Sequence, residues 1–230
     1  MKKPTIRRLF AYLIDILLVS YIASMFAYIP LLNPKIDEYE KAYNEYTKYT
    51  ESLLNSENTV TLDMSGLSDI TYNLSKTGIY IQIISLVFTF LYFTVFAWFN
   101  NGQTLGKKLL KIKVISNDKK KFSFKQSVLR TFIVNSLLTT TILVVLISVL
   151  SKGQYMNISQ YVEILDMALV FGCILFVLFR EDGMGLHDLI AGTRVVYFND
   201  LVEDEVKEAV IVEKEEKKKR VTKKKVKKNE

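Results

Sequence analysis

Asp15 is an acidic residue within an otherwise apolar stretch of the sequence, where a charge needs either a partner or a purpose. On membrane-insertion scales an aspartate at a helix centre costs about 2.5–3.5 kcal/mol, and less near an interface. Its helix face should point into a bundle and away from lipid, because Arg8, Ala11 and Tyr12 share that face. The expected partners of Asp15 are Arg8, Arg130, Tyr12 and Asn135. A direct part in ion or proton movement is the alternative.

A second polar group is expected near the opposite membrane face: Gln82, Glu163 and Asp166. Glu163 and Asp166 are three residues apart and therefore adjacent on a helix. Glu163 can snorkel to the interface, whereas Asp166 lies deeper in its apolar stretch. A cation path from Asp166 to Asp15 would need linkage through Thr89, Thr139, Thr140 or Thr141. Paired carboxylates can also serve hydrolysis, but no second motif accompanies them, so no enzyme activity is predicted.

Four apolar blocks must hold these side chains, at residues 9–29, 79–99, 128–150 and 159–179. Each is close to the ~20 residues that an α-helix needs to cross the hydrocarbon layer. The chain of 230 residues is therefore predicted to be an all-α membrane protein, a bundle of four transmembrane helices. We interpret the first block as a retained anchor, because it is too long for a typical signal peptide and contains Asp15.

Lysine and arginine are distributed unevenly around these blocks. Of the 31 basic residues, 26 lie before the first block, between the second and third, at the start of the third, or after the fourth. Because cationic flanks stay on the cytoplasmic side, both termini are predicted to be cytoplasmic. An even number of spans agrees with this orientation.

Residues 30–78 form an acidic insertion predicted to lie outside the cell, with eight acids and four lysines. A helix over residues 35–54 would carry an apolar, tyrosine-rich stripe, formed by Ile36, Tyr39, Tyr43, Tyr46 and Leu53. Such a helix either lies on its own membrane domain or binds a ligand or partner. Residues 55–76 are predicted to be loop, with short strand pieces at 59–62 and 69–74.

The cytoplasmic segment 100–127 contains Gly102 and Gly106, but their spacing does not fit a phosphate-binding loop. Residues 111–115 and 193–198 alternate between polar and apolar side chains and could pair as a small cytoplasmic β-ribbon. The lysine-rich tail, residues 199–230, is predicted to be disordered, and both the tail and the basic inner face of the membrane domain are predicted to attract anionic lipid. Nucleic-acid binding is not expected, because no aromatic residues interleave the basic run.

One histidine and one cysteine exclude a zinc site built from those residues, and no metal or cofactor is predicted. The sole cysteine, Cys173, lies in the fourth apolar block and has no partner for an intramolecular disulfide.

Three motifs together resemble the RDD family of bacterial membrane proteins. They are Arg7-Arg8-Leu9-x-Ala11-x-x-x-Asp15, Gly102-Gln103-Thr104-Leu105-Gly106-Lys107, and Leu186-His187-Asp188-Leu189-x-Ala191-Gly192-Thr193. The resemblance implies that Arg8, Asp15 and Asp188 are the residues for which the family is named. It covers residues 1–198 as one transmembrane domain in the bacterial plasma membrane. The acidic insertion and the lysine tail depart from it.

The resemblance places the second and third motifs at the inner leaflet, near the Arg8 end of the first span. That convergence is the predicted site, with Gln103, Lys107 and His187 as supporting residues. His187 could titrate near neutral pH, or it could be a hydrogen-bonded structural residue. The family implies transport, with cation/proton exchange in some members. We therefore predict a small transporter or transport accessory, and a non-transporting scaffold or adaptor as the alternative. Four spans are few for a monomeric transporter, which favours a homo-oligomer.

Overall fold

The computed structural model describes residues 4–54, 64–118 and 121–200, and this part of the chain is mostly helical. The last 30 residues, with most of the predicted tail, and the strand piece predicted at 59–62 lie outside the described residues. In chain order the elements are α1 (Thr5–Ala27), α2 (Ile36–Leu54), α3 (Met64–Thr77), α4 (Ile79–Phe90), a π-helical segment (Leu91–Phe96), α5 (Ala97–Phe99), α6 (Leu105–Leu109), β1 (Ile112–Ser116), α7 (Phe124–Val134), α8 (Leu137–Val149), α9 (Lys152–Phe179), α10 (Leu186–Ala191) and β2 (Thr193–Tyr197).

Three helical stretches are long and apolar enough to cross a membrane: Thr5–Ala27, Ile79–Phe99 and Lys152–Phe179. Helices α7 and α8 pass the same test together but are bent by 66° relative to each other. The described chain thus has three such spans, or four if the bent pair counts as one. The membrane class is confirmed, and the second span has the predicted bounds. The first and last spans begin earlier than predicted, because the helices continue into their polar flanks.

Helix α1 packs against α4 through small side chains. Its buried residues are Ala11, Asp15, Val19, Ala23 and Ala27, a strict four-residue repeat. Small residues on one face let two membrane helices approach closely, which van der Waals packing then stabilises. The large apolar side chains of α1 point away from this face, as expected for a helix whose solvent is lipid.

The third apolar block is not the single straight helix that its composition predicts. Helix α7 ends at Val134, and Ser136 adopts a left-handed backbone conformation with φ of 52° before α8 begins. A positive φ is uncommon for a residue other than glycine and marks a constrained position. The break therefore interrupts the helix within the membrane segment. The first turn of α8 has no helical residues directly before it.

One end of the bundle, the ribbon end, is closed by α6, α10 and the two strands. Strands β1 and β2 pair antiparallel with Val114 opposite Val195, which confirms the predicted ribbon. Ala11 of α1, Ile112, Val114 and Val195 form a small apolar core with Phe122. Arg7 fastens this end to the first span. Its guanidinium lies over the Tyr197 ring and donates to the Leu110 carbonyl oxygen at 3.2 Å.

The other end of the bundle carries the hairpin of α2 and α3. Helix α2 matches the predicted helix, and Tyr39 stacks on Tyr43 along its stripe. The loop prediction is wrong for residues 64–76, which belong to α3. Tertiary contacts explain the difference, because Tyr72 packs edge-on against Tyr155 of α9 and Asp69 pairs with Lys152. The hairpin therefore lies on its own membrane domain.

Candidate functional site

Asp188 is the centre of the polar cluster at the ribbon end. Its side chain is fully buried, and each of its carboxylate oxygens pairs with an arginine, Oδ2 with Arg8 of α1 and Oδ1 with Arg130 of α7. The Gly185 backbone N–H donates to Oδ2 at 3.0 Å. Arg130 also donates to the Thr193 hydroxyl at 2.6 Å. One carboxylate thus joins α1, α7, α10 and β2.

The electrostatics of this cluster favour a permanently charged Asp188. Burial alone would raise the pKa of the Asp188 carboxyl, but the charges of Arg130 and Arg8 and the Gly185 N–H hold it well below its usual range. A buried carboxylate with two cations and a backbone donor is strongly compensated. Asp188 is therefore suited to locking elements together and poorly suited to exchanging a proton.

His187 lies against the same cluster and is neutral. Burial, aided by the charges of Arg130 and Arg8, lowers the pKa of its imidazole to about 3. Its Nε2 atom is 3.2 Å from the Arg8 guanidinium, which can only donate, so Nε2 accepts. The proton then resides on Nδ1, which is buried and has no hydrogen-bond partner among the described residues. The structure therefore favours the interpretation of His187 as a hydrogen-bonded structural residue over that of a group that titrates near neutral pH.

Asp15 has its own set of donors and none of them is an arginine. Its Oδ1 accepts from the Tyr92 hydroxyl at 2.5 Å and from the Gly106 backbone N–H at 2.7 Å, and its Oδ2 accepts from the Thr104 hydroxyl. Gly106 permits this approach, because an added Cβ would stand 2.9 Å from Oδ1. Asp15 therefore caps the start of α6 and ties that helix to α1.

The predicted pairing of Asp15 with Arg8 or Arg130 is wrong, because both arginines turn to Asp188. Tyr12 and Asn135 do not contact Asp15 by hydrogen bonds either. Tyr12 donates to the Val134 carbonyl at 3.5 Å, and Asn135 keeps a buried Oδ1 without a partner among the described residues. The sequence reasoning missed the donor Tyr92. Thr104 belongs to the Gly102–Lys107 motif and directly precedes α6. This is an N-cap position, which could have indicated the role of Thr104.

Gln103 and Lys107 flank this cap with different roles. Gln103 donates from Nε2 to the Ile112 carbonyl at 3.1 Å and so holds the loop against β1. The Lys107 ammonium makes no hydrogen bond or ion pair with any residue that the structure describes, although the side chain is half-buried. Burial, together with the charge of Arg130, lowers the pKa of its ammonium to about 8.

Asp166 lies near the middle of α9 and faces the break between α7 and α8. Its carboxylate accepts from the Ser136 hydroxyl at 2.9 Å and from the Thr139 hydroxyl at 2.6 Å. No salt bridge reaches it from the residues that the structure covers. Glu163 lines the same cavity as Asp166, whereas Gln82 on α4 does not. The predicted outer site is therefore formed only in part: Glu163 and Asp166 lie together and Gln82 lies apart. The hydroxyls of Ser136 and Thr139 belong to the site, although the sequence analysis did not include them in it.

Two cavities lie along these polar groups. The lateral cavity, of about 360 Å³, lies between α1, α7 and α9 and contains Arg8, Lys107, Arg130 and His187 at the ribbon end. The Asp166 cavity, of about 300 Å³, lies between α8 and α9. Val170 lines both cavities, so they approach each other at the level of the helix break. Within the described ranges, no group of three or more His, Cys, Asp or Glu residues could hold a metal ion.

Long apolar helices joined by buried charge clusters define a multi-pass membrane protein. The family model described as the RDD family matches residues 3–192, and the chain belongs to that family. Neither the comparison with curated proteins nor the comparison with solved structures finds a match.

Proposed function

We propose that this protein is a small membrane transporter in which a proton and a small cation exchange at Asp166. The observation that carries the proposal is the position of this carboxylate. It lies in an apolar span, beside a helix break, in a cavity that approaches a second cavity. Only two hydroxyls compensate it among the described residues. Ionisable groups inside membrane spans are expensive and usually mark an ion or proton pathway.

A polar route along the bundle supports this proposal. At the ribbon end it begins with Lys107 and Arg130 in the lateral cavity and continues to Asn135, whose amide oxygen has no hydrogen-bond partner in the described part of the chain. Ser136 then donates to Asp166, and Thr140 and Glu163 line the remaining part of the Asp166 cavity. Thr139 and Thr140, two of the four threonines considered for a path from Asp166 to Asp15, line the Asp166 cavity, and Asn135 and Ser136 extend the proposed route toward the ribbon end.

The chemistry of the break fits a proton or a hard cation. An isolated carboxylate in an apolar span is costly, so it favours binding a proton or a cation. The oxygens of Asp166, Ser136 and Thr139 are the ligand type that such cations prefer. Ser136 holds a left-handed conformation between two short helices, which makes the break the element that could rearrange during exchange.

The orientation belongs to the same proposal. We place the ribbon end in the cytoplasm of a bacterial cell and the α2–α3 hairpin outside, because the basic residues cluster as described above. Single cysteines at Glu45 and Asn117, both exposed, test this in a Cys173→Ser background. An impermeant probe should label the cysteine at position 45 in intact cells and spare the one at 117. The reverse pattern would show that the topology is inverted.

Flux in reconstituted liposomes tests the transport itself. Purified protein is sealed with a pH-sensitive dye inside, and sodium or potassium gradients are imposed. Proton movement driven by a cation gradient is expected for the wild type and should be lost in Asp166→Asn. Asp182→Asn serves as the matched control, because Asp182 pairs with Arg180 in an exposed position. Equal flux in wild type and Asp166→Asn contradicts the role of Asp166.

The scaffold alternative depends on the α2–α3 hairpin, where Tyr43 is exposed on an acidic helix. Absence of flux under every imposed gradient, together with a partner protein that the Tyr43→Ala variant no longer retains, would favour the scaffold. Equal retention of that partner by the wild type and by Tyr43→Ala would mean that the hairpin does not bind the partner.

A further inference from the structure

The lateral cavity opens sideways between two spans. Within the described chain, α1 and α9 do not pack closely against each other, and α7 lies behind the gap. Ile6 and Leu9 of α1 and Ile174 and Leu178 of α9 line the cavity, and each is between 47% and 71% exposed. Because both helices are candidate membrane spans, the mouth between them faces the acyl chains of the bilayer.

The ribbon end of the lateral cavity has more positive than negative side chains. Arg8, Arg130 and Lys107 line it, against the carboxylates of Asp188 and Asp15. Both oxygens of Asp188 are taken by the arginines. Both oxygens of Asp15 are taken by its own donors. The Lys107 ammonium makes no ion pair with either carboxylate or with any other residue that the structure describes.

We propose that the lateral cavity binds the phosphate of an anionic phospholipid, with the Lys107 ammonium as its principal contact. The acyl chains would leave through the mouth between α1 and α9. An ammonium is a compact point charge that suits phosphate, and the arginines are already engaged by a carboxylate. The cavity, at about 360 Å³, admits a headgroup but not a whole lipid, and its lateral mouth admits the remainder.

The pKa of the Lys107 ammonium supports a phosphate as the ligand of the lateral cavity. Burial and the charge of Arg130 lower the pKa of its ammonium to about 8, and the charges of Asp15 and Asp188 offset this only in part. A bound phosphate would add a negative charge in direct contact with the ammonium. This site differs from the surface attraction predicted for the lysine tail, which involves exposed charges that salt screens.

The proposal does not depend on transport, since lipid binding is measured without any gradient. It also concerns Lys107 rather than Asp166. A negative result for lipid binding would therefore not contradict the proposed exchange, and a negative result for exchange would not contradict lipid binding. A lipid phosphate at this position would offset the positive charge at the start of the proposed polar route.

Lipid retention by the full chain in detergent tests the site by native mass spectrometry. Delipidated protein is titrated with phosphatidylglycerol or with phosphatidylcholine. Wild type is expected to retain phosphatidylglycerol in preference to phosphatidylcholine, and Lys107→Gln should weaken that retention by about tenfold. The matched control is Lys108→Gln, which removes the same charge from the exposed neighbouring residue and should weaken retention by less than about twofold.

A second variant keeps the test valid if Lys107→Gln folds poorly. Ile174→Trp narrows the mouth from a half-exposed position and should also reduce phosphatidylglycerol retention, with an unchanged melting temperature. Equal losses in Lys107→Gln and Lys108→Gln would overturn the proposal in favour of surface electrostatics. Equal retention of phosphatidylcholine, or displacement by inorganic phosphate at the lipid's own concentration, would overturn it as well.

Discussion

Two aspartates of this bundle, Asp188 and Asp166, lie in different surroundings: Asp188 is fully buried, whereas Asp166 is half-buried. Asp188 at the ribbon end pairs with Arg8 and Arg130 and accepts a backbone N–H. Asp166 in α9 is met by the hydroxyls of Ser136 and Thr139. The first carboxylate is compensated by full charges, and the second by dipoles.

The difference teaches how one protein can use the same residue to hold its structure and to perform exchange. A carboxylate between two arginines loses much if it takes up a proton, so it stays charged and fixes its neighbours. A carboxylate that is hydrogen-bonded only to hydroxyls can exchange a bound proton for a cation at a smaller cost in free energy. Asp15 lies between these two cases: dipoles compensate it, as they do Asp166, but it is fully buried and accepts from three donors, Tyr92, Thr104 and the Gly106 N–H.

The largest effect is expected for Asp188→Asn, which leaves two buried arginines without a counterion. Removal of one partner of a buried ion pair costs about 3–5 kcal/mol, so the folded yield and the melting temperature should fall sharply. Asp182→Asn, in an exposed pair with Arg180, should cost at most about 1 kcal/mol. Similar melting temperatures for both variants would show that the cluster does not hold the ribbon end together.

A smaller loss is expected for Asp15→Asn. The asparagine amide would face a donor where the carboxylate accepts three hydrogen bonds, which costs about 1–3 kcal/mol. Chemical denaturation in detergent measures it. Gly106→Ala should destabilise the same contact, because a Cβ there would crowd Asp15, whereas Gly153→Ala has open space and should not. An unaffected Gly106→Ala would contradict the close approach of α6.

A pH effect of about 1 kcal/mol is expected from His187. Its folded pKa of about 3 lies below the ordinary value of 6.5, so the unfolded chain binds the proton more readily. The stability that His187 contributes is therefore complete above pH 6.5 and lost as the pH falls below it. The facing charges are Arg8, Arg130, Lys107 and Asp188, and the last of these titrates only at lower pH.

The melting temperature should therefore fall between pH 7.5 and pH 5.5, and His187→Gln should flatten that dependence. His187 is the single histidine of the chain, which makes the comparison direct. An equal pH dependence in both proteins would mean that another group titrates in this range.

The smallest effect on stability is expected for Asp166→Asn. The amide can still bond the hydroxyls of Ser136 and Thr139, and the substitution removes a charge that no described cation compensates. Its free energy of unfolding should stay within about 1 kcal/mol of the wild type or rise. A loss comparable to that of Asp188→Asn would erase the contrast between the two sites and place Asp166 among the structural residues.

The sequence determined the membrane class, because apolar length alone reports whether a helix can cross a bilayer. It also determined α2 and the ribbon, since three- and four-residue steps and the alternation of polar and apolar residues are local patterns. Arg8, Asp15 and Asp188 were found as motif residues, yet their partners were not. Such patterns record which face of an element is apolar and not which element lies opposite.

Only the tertiary structure decided those partners. Asp15 meets Tyr92 across 77 positions of sequence, and Arg8 meets Asp188 across 180. Helix α3 forms where local composition favours loop, because its packing on α9 outweighs a weak propensity. The break at Ser136 lies in a block without glycine or proline, and the polar pair Asn135-Ser136 is too weak a local signal to predict it. Hydrogen bonds and ion pairs act over a few ångströms, and only the folded chain brings these groups within that distance.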